Sequence, residues 1–143
     1  MLVSLLYASR AKGPVEAEFI TSILTKSREK NERLGITGVL CTSGDGVFLQ
    51  LLEGGREEVN ALYNKIVQDT RHEQCTLLNY EEIEERRFSC WRMGRVDLSK
   101  VNLSTVLRFS EKPKLDPFSM SGRGALALLD ELEKTAAILS QDS

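Results

Sequence analysis

A tyrosine closes the apolar run MLVSLLY at the start of the chain, and a glutamine at position 50 interrupts another, VFLQLL. Both are polar groups set in strand-like sequence among Leu, Val and Phe. A buried phenol brings a large ring and one hydroxyl that needs a partner, while an amide carries donors and an acceptor on one group. Taken alone, Tyr7 reads as a core ring whose tip reaches water, and Gln50 as a residue on the solvent side of its strand. Taken together they make a possible relay, with the amide bridging the phenol and a polar ligand. Ser27 and Asn31 are four residues apart and so share one helix face. Alone, Asn31 reads as a helix C-terminal cap and Ser27 as surface. Asp69, Arg71 and His72, in QDTRHEQ, read as a solvated turn.

The elements that must position these groups follow from hydrophobic periodicity. Leu2 to Ser9 predicts a strand, ended by a turn from Arg10 to Pro14. Val15, Phe19, Ile20, Ile23 and Leu24 recur at helical spacing, predicting a helix from Val15 to Asn31. GITGVLCTS predicts a second strand, GDG at 44 to 46 a tight hairpin, and VFLQLLEG the returning strand. Arg56 to Asp69 reads as a second amphipathic helix, Cys75 to Ile83 as a fourth strand and Phe88 to Val96 as a fifth. The order β-α-β-β-α-β-β is that of an α+β, ferredoxin-like split βαβ fold, with an added strand and two helices on one face. In such a sheet the first and third strands are neighbours, so Tyr7 and Gln50 approach each other below the groove between the helices.

The tail reads differently. A short helix is predicted from Ser99 to Arg108, then a proline-containing turn, EKPKLDPFS, and then a helix from Ala125 to Leu139. Leu128, Leu132 and Leu139 form a stripe that Leu129 and Ala136 widen. Such a stripe must pack on the open sheet face or on a partner chain. The expected division is a domain over residues 1–97 and a helical extension over 98–143.

The chain has 143 residues, 41% hydrophobic and 28% charged, with a net charge of -2. That balance gives no electrostatic case for nucleic acid or an anionic membrane as partner. No apolar run reaches membrane-spanning length, and the first basic residues follow the apolar start, the wrong order for a signal peptide. Three widely spaced cysteines and one histidine match neither a disulfide framework nor a metal site. The expectation is a reduced, cytoplasmic domain without a metal.

Five blocks in order carry a resemblance: YAS in the first strand, KNERLGITGVL at 30 to 40, FLQLLEG at 48 to 54, QDTRH at 68 to 72 and RRFSCWRM at 86 to 93. Together, over about residues 2 to 96, they resemble the BLUF family of FAD-binding blue-light sensors, and the tail is similar to that of its short members, which carry no enzymatic domain.

The resemblance implies a photoreceptor and not an enzyme. Tyr7 would donate an electron and a proton to excited flavin, and Gln50 would rearrange its hydrogen bonds to give a reversible red-shifted state. Asn31 would hold the imide edge of the ring, with Ser27 nearby, and Ile23 and Ile66 would clamp its faces. Lys65, Asp69, Arg71 and His72 would address the ribityl and phosphate portion. Lys65 stands where some members place Arg, exchanging a planar fork for a point charge. Trp91 and Met93 match the pair that relays the signal to a downstream protein partner or a homo-oligomer interface. Three rivals are weighed against this. An acylphosphatase-type enzyme lacks its anion loop, an RNA-binding sheet lacks its exposed aromatics, and a flavin-free interaction module has no need of Tyr7, Asn31 and Gln50 together.

Overall fold

The computed structural model describes residues 1–13, 17–90 and 92–135. Five strands, β1 (Leu2–Ala11), β2 (Thr37–Thr42), β3 (Val47–Gly55), β4 (His72–Ile83) and β5 (Gly94–Asp97), form one sheet in the order β4-β1-β3-β2-β5. Helices α1 (Ala17–Leu34) and α2 (Arg56–Gln68) make the crossovers from β1 to β2 and from β3 to β4, and the segment 84–93 links the two edge strands, β4 and β5. Neighbouring strands are antiparallel except β5, which runs parallel to β2. This is the expected α+β, ferredoxin-like arrangement.

Both faces of the sheet are covered, which explains why β1 and β3 read as nearly continuous apolar runs. Val3, Leu5, Tyr7, Leu40, Phe48 and Leu52 point to one side and pack with Ile20 and Leu24 of α1 and Val59 of α2. Leu6, Ala8, Val39, Cys41, Leu49 and Leu51 point to the other and pack with the tail.

The tail comprises α3 (Leu103–Phe109) and α4 (Gly122–Lys134). Leu128, Leu129 and Leu132 of α4 are buried against the second sheet face, while Ala136 and Leu139 lie outside the described residues. Ser121 caps α4, its Oγ accepting from Gly124 N at 3.0 Å, so the helix starts earlier than its leucine stripe. At Gly122 the backbone lies so close to the Leu78 carbonyl of β4 that any Cβ would overlap it.

Several boundaries depart from the sequence reading. β1 extends to Ala11 and β4 begins at His72, since these two ends pair with each other, which makes His72 a strand residue and not part of a solvated turn. α1 runs on to Leu34 and ends at Gly35, whose φ of +69° is left-handed, so Asn31 lies inside the last turn and does not cap it. Val15 lies outside the described residues. The helix expected from Ser99 to Arg108 is split. Asp97 caps a 3-10 turn at Leu98–Lys100, Val101 is extended, and Asn102 caps α3 by accepting from Ser104 N at 3.0 Å. The fifth strand is confined to Gly94–Asp97, because the segment before it is held by side chains, Glu53 of β3 at Phe88 and Asn31 and Arg28 of α1 at Arg92 and Met93, and not by strand pairing.

Candidate functional site

Tyr7 of β1 and Gln50 of β3 stand directly opposite each other in register, and Leu40 of β2 opposes Gln50 on its other side. Their side chains rise on the helix-covered face, 4% and 7% exposed. The Tyr7 hydroxyl donates to Gln50 Oε1. Gln50 Nε2 in turn donates to Met93 Sδ at 3.4 Å. This orientation of the amide has a physical cause. A thioether accepts but cannot donate, so it selects the NH₂ end, whereas the phenol can meet either end. Burial holds the Tyr7 phenol well above its ordinary pKa, with the nearby Cys75, Tyr63 and Asp69 adding to it. The phenol is therefore neutral and has a proton to give. Its ring lies 5.4 Å from that of Tyr63 on α2.

Above this pair a cavity of about 260 Å³ opens between α1 and α2. Ile23 of α1 and Ile66 and Leu62 of α2 line it, with Leu40 and Phe48 rising from the sheet. Ser27 lines it too, as does Asn31, which is buried and donates from Nδ2 to the Arg92 carbonyl at 3.1 Å, leaving its Oδ1 acceptor for a ligand. Lys65, Asp69, Arg71 and His72 complete the lining. The cavity thus gathers Tyr7, Gln50 and every residue assigned to a cofactor from the sequence.

Two of these already meet partners within the protein. Both ring nitrogens of His72 are taken, Nδ1 by Ser9 Oγ at 2.8 Å and Nε2 by the Ile66 carbonyl at 2.5 Å. A carbonyl only accepts, so Nε2 carries the proton and Nδ1 accepts from Ser9. Arg71 is forked onto Asp69, whose carboxyl it holds down to about 2.

The cations left at the rim include two that sequence reasoning missed, Lys26 and Lys30. Their spacing is one helical turn, beside Ser27 and Asn31, and that was the available signal. Lys30 faces Lys65 across the groove, and the nearby Lys65 ammonium, then burial, lowers its pKa. Among the described residues, Lys26, Lys30 and Lys65 meet no carboxylate. A like-charged pair of this kind favours an anion between its members.

Sequence reasoning also missed Glu53. Fully buried on β3, it accepts from Arg87 N at 2.8 Å and Phe88 N at 2.9 Å. A lone acid in an otherwise apolar strand was the signal, since a buried carboxylate must be bonded. It anchors the start of the segment that delivers Met93, which is 2% exposed. Trp91 lies outside the described residues.

The sequence profile of the family described as "Sensors of blue-light using FAD" matches residues 2–94. The chain belongs to the BLUF family. Among solved BLUF structures, that of BlsA in its photo-activated state superposes with a TM-score of 0.83 at 33% identity, covering 92% of this chain and 94% of that one. The dark state of BlrB superposes at 0.77 and 32% identity, covering 94% and 96%. The blue light- and temperature-regulated antirepressor BluF of Escherichia coli (strain K12) is 33% identical over 108 residues, 76% of this chain. A photoactivated adenylate cyclase subunit beta of Euglena longa is 34% identical over 87 residues, 61% of this chain. The matches span only 27% and 10% of those two curated relatives.

The BLUF domain is a flavin-binding blue-light photoreceptor, and its work is sensing and not catalysis. The cavity residues fit a flavin. Apolar walls suit a flat ring, and the Asn31 and Gln50 amides suit an edge that carries both N-H and C=O. The Gln50 NH₂ group, almost wholly buried, meets only a weak sulfur acceptor and has capacity for a stronger one. The rim lysines suit a phosphate. No described helix is long and apolar enough to cross a membrane.

Proposed function

We propose that this chain binds FAD between α1 and α2 and switches through the Tyr7–Gln50–Met93 hydrogen-bond chain. That chain is the observation carrying the reading. Asn31 and Ser27 would hold the polar edge of the ring, Ile23 and Ile66 its faces, and Lys30 and Lys65 the phosphates. When bound, the flavin supplies blue absorption and an excited state that is a strong oxidant. Tyr7 is the phenol placed to respond. Because its pocket penalises charge, an electron lost from the ring to the excited flavin would take the Oη proton with it along the hydrogen bond to Gln50 Oε1, and both would return to Tyr7, leaving a neutral phenol and a neutral amide. The amide then rearranges. Turned by half a rotation, it presents Nε2 to Tyr7 Oη and Oε1 to Met93 Sδ. The first contact survives, since a phenol oxygen can accept. The second fails, since a thioether offers no proton. The turned amide lacks one hydrogen bond on the Met93 side, a deficit of about 1 kcal/mol, and so it returns thermally. Met93 registers the difference and passes it along β5 into the tail over residues 98–143, whose output is a cytoplasmic protein partner or a change in self-association.

Absorption spectra of the purified protein in the dark, after blue light and during recovery test this. A flavin spectrum that shifts red and returns is expected, with Tyr7→Phe and Gln50→Ala binding flavin but not shifting. Chromatography of the flavin released on denaturation should give FAD. A protein that stays colourless with added FAD would overturn the photoreceptor reading for this chain and leave an interaction module. A bound flavin that bleaches without shifting would overturn the switch.

A further inference from the structure

We propose that Arg28 is a positioning residue that fixes Met93 against Gln50 and makes the entry to β5 the pivot through which the switch acts on the tail. Arg28 lies on α1, one residue after Ser27, and its guanidinium places Nε at 3.1 Å and Nη2 at 2.9 Å from the Met93 carbonyl. A fork on one carbonyl fills both oxygen lone pairs with charge-assisted bonds, which a lysine cannot reproduce. The same helix grips the preceding residue twice. Asn31 Nδ2 donates to the Arg92 carbonyl at 3.1 Å, and Glu32 Oε2 meets Arg92 Nη1 at 2.8 Å. Sheet pairing begins only at the next residue, with Gly94 opposite Val39.

The grip therefore sits at a junction between two cores. The Met93 side chain belongs to the cavity side of the sheet. Val96 and Leu98, just beyond, belong to the tail side, packed with Val106 and with Leu128 and Leu129 of α4. With the carbonyls of Arg92 and Met93 held by α1, a change at Met93 Sδ cannot be absorbed by the segment sliding back. It has to turn β5 about the held point, and Val96 and Leu98 carry that turn into the tail core. Without the fork, Met93 is free to follow the amide, and the displacement dissipates before Gly94.

This role presupposes the Gln50 switch proposed above, but its dark-state half does not. Three measurements on flavin-loaded protein test it, with methionine labelled by ¹³C at the carbonyl for the first. In Arg28→Ala the infrared band of the Met93 carbonyl moves to higher frequency in the dark. The red shift still forms, and dark recovery slows roughly fivefold, because a freed Met93 relieves the mismatch that drives the amide back; that corresponds to about 1 kcal/mol of barrier. The light-induced change in amide hydrogen exchange over residues 94–109 is lost. Arg28→Lys, which keeps the charge without the fork, falls between wild type and Arg28→Ala in recovery rate, and this variant decides the matter if Arg28→Ala does not fold. Wild-type recovery together with a wild-type exchange response in either variant would overturn the proposal. A wild-type protein with no reversible red shift would instead overturn the switch, while the dark carbonyl band would still report whether Arg28 holds Met93.

Discussion

Replacing Glu53 tests the anchoring of the segment that carries Met93. The carboxylate is fully buried and accepts two backbone N–H bonds, from Arg87 at 2.8 Å and Phe88 at 2.9 Å. Glu53→Ala leaves both donors in a dry site. At about 1–3 kcal/mol for each unsatisfied buried group, the loss is about 2–6 kcal/mol. That is a large share of the stability of a domain of this size, and at about 3–4 °C per kcal/mol it lowers Tm by about 6–24 °C. Glu53→Gln keeps one acceptor and sets an NH₂ group against the other backbone donor, for a loss of about 1–3 kcal/mol. Burial raises the Glu53 pKa, outweighing the pull of the two N–H donors and of Arg86 and Arg87. The folded state therefore binds the proton more tightly than the unfolded chain. The stability linked to this proton is fully present below the unfolded carboxylate value and is lost as pH rises through the folded one. Glu53→Gln has no such titration, so the gap between wild type and this variant narrows as pH rises across that window. Urea unfolding followed by far-ultraviolet circular dichroism at several pH values measures both effects. A Glu53→Ala protein within about 0.5 kcal/mol of wild type would mean that water reaches both donors, and the reasoning would fail.

Other consequences can be checked separately. Gly122→Ala drives a methyl group into the Leu78 carbonyl, so α4 should lift from β4. Amide exchange across residues 122–134 should rise while flavin binding persists, and unchanged exchange would show that the contact relaxes cheaply. Burial pushes the Cys41 thiol up to about 12, so a thiol reagent near pH 8 should label exposed Cys90 promptly and Cys41 only on unfolding. Rapid labelling of all three cysteines in the folded protein would contradict this packing. Lys30→Met and Lys65→Met should each weaken FAD binding and reduce its dependence on salt, while riboflavin, which lacks phosphate, should bind the variants and wild type alike. Equal losses for both ligands in a titration followed by flavin fluorescence would remove the phosphate role.

The order of strands and helices was legible because each element carries its own period, and the order alone makes β1 and β3 neighbours. Tyr7 and Gln50 could therefore be paired from sequence, and the leucine stripe of α4 announced a surface in need of cover. The unbroken apolar character of LVSLLYA was itself a record of two covered faces. What the sequence could not decide was every contact made by a side chain to a distant backbone. Phe88 to Met93 has the composition of a strand, yet Glu53 takes the amides at its start and Arg28 and Asn31 take the carbonyls at its end. Those partners are 35, 65 and 61 residues away in the chain, beyond the reach of any local pattern. The same holds for His72, whose ring is satisfied by Ser9 and Ile66, and for Lys30 and Lys65, which meet only when two helices fold onto one sheet. Local sequence set where chain segments extend or coil, because that depends on neighbouring residues. Tertiary structure set which polar groups are left for the flavin, because that depends on which ones the fold has already satisfied.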